Sequence, residues 1–209
     1  MADEIGLDDL SMRRLAEALG VEAMSLYHHV PNKDAILDGM VDRVFAEIAH
    51  PDPALDWKRA LHDRCASVRE ALLRHPWAIR VMESRAQAGP ATLGHHDAVL
   101  GCLRAAGFSI PLAGHAYAVL DGFTYGFVMT ELNLPFRSGE EAQAVAAKMF
   151  AQIPPGAFPH LIEFATERAM KPGYSYSDEF AFGLALILDG LERALAREHA
   201  SGTKRARRH

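Results

Sequence analysis

Apolar residues recur along the chain at helical spacing, and the elements they predict are helices throughout. Met12, Leu15, Ala16 and Leu19 share one face of a first short helix. Gly20 ends it, where backbone with positive φ is wanted, and Val21 follows as an apolar plug. A second pattern, residues 22–30, sets Leu26 and Val30 one turn apart. Ala16 supplies the small residue where two helices cross, and Leu26 supplies the apolar anchor after the turn. These offsets predict a helix-turn-helix. The alternative reading of the same pattern is a helical hairpin packed into a larger core.

Beyond it, Asn32 is placed to cap a helix over residues 33–49 that carries Ile36, Leu37, Met40, Val41, Val44, Phe45 and Ile48. That stripe is wider than a three-helix unit needs, so one end is expected to pack on later elements. Pro51 and Pro53 mark a boundary, and Asp56 caps a long helix over residues 57–74 with Leu61, Cys65, Val68 and Leu72 inward. A short helix over 77–85 and another over 92–106, stopped by Gly107, follow. Residues 111–132 are the most apolar stretch, with small residues interleaved among aromatics; residues 179–197 are similar. Two such helices per subunit can pack against their copies as a four-helix bundle, with Tyr117, Leu120, Phe182, Leu186 and Gly190 at the interface. Residues 201–209, SGTKRARRH, read as a basic disordered tail. The expected fold is all-α: a helix-turn-helix region with its connecting helix (1–50), a ligand-binding and dimerisation domain (51–200) and the tail.

The chemistry of the second short helix sharpens this. Ala23, Met24, Ser25, Tyr27 and His28 face outward, a set of methyl, thioether, hydroxyl, phenol and imidazole groups with no Lys or Glu among them. Such groups suit thymine methyls, phosphate oxygens and base edges. Ser11 is placed to cap the first short helix, and Arg13 and Arg14 are turned toward a phosphate backbone. The whole chain has a net charge of −5, yet Arg13, Arg14 and Lys33 outnumber Glu17 and Glu22 in the helix-turn-helix, with His28 and His29 able to add charge. A dimer would double these contacts and match a palindromic duplex.

Other functions find little footing. The histidine pairs His28-His29 and His95-His96 diverge on a helix and make no metal pair, and there is no HExxH, GxSxG, GxGxxG or phosphate-binding loop. Cys65 and Cys102 lack metal spacing and read as thiols in a reducing compartment. No apolar run is long enough for a membrane span and no secretion signal is visible, so a cytoplasmic protein that is not an enzyme, with no metal and no cofactor, is expected.

Residues 11–44, SMRRLAEALGVEAMSLYHHVPNKDAILDGMVDRV, resemble the DNA-binding region of the TetR family of transcriptional regulators, and residues 180–195, FAFGLALILDGLERAL, are similar to the last helix of the tetracycline-repressor-like ligand domain. The resemblance implies a homodimeric repressor on a palindromic double-stranded DNA operator, released by a small-molecule inducer. It implies operator contacts by Ser11, Arg13, Ala23, Met24, Ser25, Tyr27, His28, His29 and Lys33, the last to a phosphate. It implies a ligand pocket in the middle helices, placed by rough position at His62, Arg64, Val68, Met82, Phe123 and Phe127. Tetracycline repressors hold a metal-chelated drug through a histidine where this chain has Met82, so a metal-chelated tetracycline is not the expected inducer; an apolar or aromatic compound is. The family normally begins with a further helix. Met1 to Leu10 are acidic and too short for that helix plus a turn, which leaves Leu15 and Leu19 exposed and admits an alternative: a dimeric ligand-binding protein that no longer binds DNA.

Overall fold

Local signals set most of the helix ends in the computed structural model, which describes residues 1–85, 87–136, 138–154 and 156–206, without the side chains of 202–206. Among the described residues the fold is helical, its one extended pairing a single bridge between Ser138 and Ser175. Helix α1 is one turn, Ala2–Ile5, ended by Gly6. Helix α2 is Met12–Leu19, with the Ser11 hydroxyl accepting from the Arg14 N–H. Gly20 has φ 68°, and the Gly20 and Val21 N–H groups return to Glu17 and Ala16 carbonyls, a Schellman ending that needs the left-handed residue.

Helix α3 is Ala23–Tyr27, shorter than the expected 22–30. His28, His29 and Val30 continue as hydrogen-bonded turns, and Pro31 disfavours helical backbone at the residue before it. Asn32 caps α4 (Lys33–Glu47) through the Ala35 N–H at 2.9 Å, and Asp56 caps α5 (Trp57–Arg74) through Lys58 and Arg59. Residues 77–85 form two 3-10 turns, Ala78–Arg80 and Met82–Ser84, in place of the single expected helix. Then come α6 (Pro90–Ala105), α7 (Ile110–Asn133), α8 (Gly139–Phe150) and α9 (Pro159–Phe164), which runs on into a π turn, Ala165–Ala169. The last helix, α10, is Asp178–Ala206.

The expected disordered tail is therefore helical as far as Ala206; residues 207–209 lie outside the described residues. The helix is tied down near its end. Glu198 accepts from the Ser109 N–H at 3.2 Å, and His199 Nε2 lies 3.2 Å from the Gly107 carbonyl. The Ser201 hydroxyl is satisfied within the helix by the Arg197 carbonyl.

Two apolar clusters result. One joins Leu7 and Leu10 to Leu37, Val41, Val44, Phe45 and Ile48 of α4, to Val68 and Leu72 of α5, and to Trp77 and Met82. It crosses the sequence boundary at residue 50: the helix-turn-helix head has no core separate from the rest. Leu15 packs half-buried against it, contrary to expectation, because Leu7 and Leu10 of the acidic first segment supply apolar cover; Leu19 is 65% exposed, as expected. The other cluster lies between α5, α6, α7 and α10, around Leu61, Val99, Leu103, Phe108, Leu120, Phe127, Leu184 and Leu188. Among the described residues no helix is long and apolar enough to cross a membrane.

Candidate DNA-binding and ligand-binding sites

The head presents α3 outward. Met24 is 71% exposed and Tyr27 47%, His28 and His29 are exposed, and Ala23 and Ser25 are half-buried. The flanking cations are engaged in the free chain. Arg13 pairs with Glu17 at 2.9 Å, Arg14 with Asp9 at 3.5 Å, and the Lys33 ammonium donates to the Leu7 carbonyl at 3.3 Å. Exposed pairs of the Arg13 kind are weak and exchange readily for a phosphate. Lys33 is different: it closes α4 onto the first segment, a role that sequence reasoning missed.

The interior holds a polar centre between α5, α6 and α7. Arg64 is fully buried. It donates through Nη1 to Asp121 at 2.5 Å, and through Nε to His95 Nε2 at 3.0 Å. Its burial disfavours the charge, but the Asp121 carboxylate outweighs that and holds the guanidinium pKa above its ordinary value. His95 Nε2 faces donors, so the ring must be neutral with its proton on Nδ1. Burial, reinforced by the Arg64 charge, pushes its pKa down to about 3. The Nδ1–H has no partner among the described residues, and neither has the buried Tyr125 hydroxyl. The Tyr117 hydroxyl meets His96 Nδ1. Burial, then the nearby Asp121 charge, raises the pKa of both phenols, so both stay protonated. The arrangement is a set of buried polar groups, two of them unsatisfied, walled by helices.

Only part of the expected pocket gathers here. Arg64 and Val68 share a buried face of α5, one turn apart. Met82 is buried with Val68 in the head-side cluster and lines a cavity of about 130 Å³ with Val41, Arg85, Thr92 and His96. His62 is elsewhere: two residues from Arg64 on a helix, it points about 200° away. It sits beside Asp63 in a surface cleft with Lys58 and Asp189. Phe123 and Phe127 pack with Phe180 and Tyr176 in the second cluster, Phe127 stacked on Tyr176 at 4.8 Å. His95, His96, Tyr117, Asp121 and Tyr125 were not singled out for a pocket. The one available signal was their polarity on otherwise apolar helices.

A joint links this region to the head. Asp42 of α4 accepts from both the N–H and the hydroxyl of Thr92, at 2.8 and 3.0 Å, and so caps the start of α6 from a different helix. Gly89 permits the approach: a Cβ there would lie 2.3 Å from the Asp42 carboxyl carbon. Around it, Arg85 pairs with Asp34 at 3.1 Å and Arg80 with Asp8 at 3.2 Å.

The expected dimer face needs correction at Leu120 and Tyr117. Leu120 is fully buried within its own subunit, in the cluster with Leu103 and Leu184, and cannot meet a partner. Tyr117 also turns inward, to His96. The outward residues of α7 include Val119, Gly122, Gly126 and Met129. An apolar helix with small residues all round gives no periodicity to tell the two faces apart. On α10, Phe182 is 65% and Leu186 55% exposed, as an interface requires, while Gly190 is half-buried.

Comparison with known proteins gives the same outline. Residues 1–40 match the family described as bacterial regulatory proteins, tetR family, and residues 50–195 match the tetracyclin repressor-like C-terminal domain. The chain is 34% identical over 205 residues to the HTH-type transcriptional repressor DrrR1 of Streptomyces coeruleorubidus, covering 94% of this chain and 74% of that protein. It is 32% identical over 203 residues to the tetracycline repressor protein class C of Escherichia coli, covering 92% and 86%. Among solved structures, the Streptomyces coelicolor TetR family protein ActR in complex with (S)-DNPA superposes with a TM-score of 0.75 at 29% identity, covering 92% of each chain.

Proposed function

The chain belongs to the TetR family of transcriptional regulators, and from that premise we propose that it is a repressor that binds a palindromic operator as a homodimer and is released by a small molecule held between α5, α6 and α7. The observation that carries the DNA reading is the exposed face of α3, Met24, Tyr27, His28 and His29, on a head whose core is closed by Leu7 and Leu10. That closure favours retained DNA binding over the reading as a sensor alone. Dimerisation is supported by Phe182 and Leu186 on α10 and Val119 and Met129 on α7, large apolar groups outside either core.

The inducer's chemistry follows from the groups left unsatisfied. Among the described residues the His95 Nδ1–H is a donor without an acceptor, and the Tyr125 hydroxyl can donate or accept. Buried groups of this kind favour a ligand carrying carbonyl or phenolic oxygens, and the apolar helices around them favour a planar aromatic body. Met82 stands where the resemblance to tetracycline repressors places a metal-chelating histidine. An aromatic oxygen-bearing compound bound without metal is thus the best-supported class, and the ligand bound to ActR makes (S)-DNPA a suitable first probe. Occupancy would act on the head through Asp42 and Thr92, because the ligand walls and the cap share α6. Release requires only that the ligand favour the conformation with misplaced recognition helices.

Selection from a random duplex library with the full chain tests the reading. Enrichment of an inverted repeat, lost on addition of (S)-DNPA or of an aromatic compound carrying carbonyl or phenolic oxygens, is the expected result. A folded dimer that enriches no sequence would overturn it.

A further inference from the structure

His75, at the end of α5, stands between two carboxylates from different elements of the head. Its Nδ1 is 2.7 Å from Asp3 Oδ1 on α1, and its Nε2 is 3.1 Å from Glu47 Oε2 at the end of α4. A neutral imidazole has one N–H and can donate to only one of them; the imidazolium donates to both. The same oxygens are already shared. Asp3 Oδ1 accepts from the Trp77 indole at 2.6 Å, and Glu47 Oε2 accepts from Arg74 at 3.0 Å. The groups around His75 are therefore Asp3 from α1, Glu47 from α4, Arg74 from its own helix and the uncharged Trp77 from the segment that follows. The ring itself is largely buried, with 18% of its side chain exposed.

We infer that His75 is a protonation-dependent latch between the head and the ligand domain, closed as the imidazolium and loosened when the ring is neutral. The inference rests on this geometry and not on what the head binds. Burial of the ring works against its charge, but the hydrogen bonds and charges of Asp3 and Glu47 outweigh burial and raise its pKa. Burial also opposes the Asp3 charge, yet the His75 and Trp77 hydrogen bonds lower its pKa; Arg74 and then His75 lower that of Glu47.

The sign follows from linkage. A raised histidine pKa contributes stability that is complete below the ordinary imidazole value of about 6.5 and is lost as pH rises through the raised value. The lowered carboxylates contribute stability present above their ordinary range of about 4 and lost as pH falls below it. The latch is closed between those limits, and a pH rising through the raised histidine value opens it.

The test uses the full chain. The His75 ring proton is titrated by NMR, assigned with His75→Gln, while hydrogen exchange of residues 2–10 is followed across the same pH range and corrected for intrinsic rates. The pKa is expected above the ordinary value and to move back toward it in Asp3→Asn and Glu47→Gln. Protection of residues 2–10 should fall as pH passes through that pKa, by about tenfold for each unit of elevation, and should lose this step in His75→Gln. A pKa at or below the ordinary value, or protection whose pH dependence is the same in wild type and His75→Gln, would overturn the latch.

Discussion

The two apolar clusters differ in how deeply their polar contacts are buried. Around the second, the polar chemistry is inside: Arg64, Asp121 and His95 lie buried among α5, α6 and α7, bonded to one another. Around the head-side cluster the polar contacts bridge separate elements nearer the edge: Asp8 with Arg80 is exposed, while Asp3 with His75, Asp34 with Arg85 and Asp42 with Thr92 are partly buried. Buried ion pairs cost several kcal/mol to break because the remaining charge has no water, whereas exposed pairs exchange with solvent at little cost. The ligand domain is therefore built to keep one arrangement. The head shares that domain's core but is fastened to it by contacts that can be released.

Substitutions sharpen this contrast. The largest loss should come from Asp121→Ala, which strands the Arg64 charge in the interior and should destabilise by about 3–5 kcal/mol, read as a lowered thermal midpoint. The double variant Arg64→Met with Asp121→Leu should recover most of it, since no charge is then left unpaired. A thermal midpoint unchanged in the single variant would break the comparison at its buried end.

Next comes the joint. Asp42→Ala removes a helix cap and should cost about 1 kcal/mol by denaturant unfolding. Gly89→Ala should cost at least as much, because the added methyl drives Asp42 from the α6 terminus. Both should leave ligand binding near wild type while weakening the effect of ligand on DNA. At the rim, Arg80→Ala should change stability by less than about 1 kcal/mol. If it matched Asp121→Ala, the two regions would not differ in kind. Leu186→Glu should leave each subunit folded and halve the mass seen by light scattering, since that side chain lies outside both cores. A variant still dimeric would move the interface off α10.

What was legible beforehand divides along chemical lines. The caps at Ser11, Asn32 and Asp56 and the stop at Gly20 are local: a side chain meets backbone a few residues away, and residue type and spacing suffice. The partners Arg64 and Asp121, or Asp42 and Thr92, are 57 and 50 residues apart, and nothing local pairs them. Leu120 was turned to the wrong side because α7 is apolar around most of its girth. Rough position in the resembled domain puts His62 in the pocket with Arg64, although a helix sends residues two apart to nearly opposite faces. The closing role of Leu7 and Leu10 was hidden by the acidic residues around them. The last turns of α10 were masked by a basic run, although Glu198 and His199 anchor the helix to the α6–α7 loop.

DNA reading by the head through α3 is the proposal on which the rest depends. Its most direct test is fluorescence anisotropy of a duplex selected by the full chain, titrated at two salt concentrations with wild type and with Tyr27→Ala. Binding should weaken with salt and fall at least about tenfold in Tyr27→Ala, with the dimer and its thermal midpoint unchanged. Equal affinity of the two proteins at both salt concentrations would contradict it.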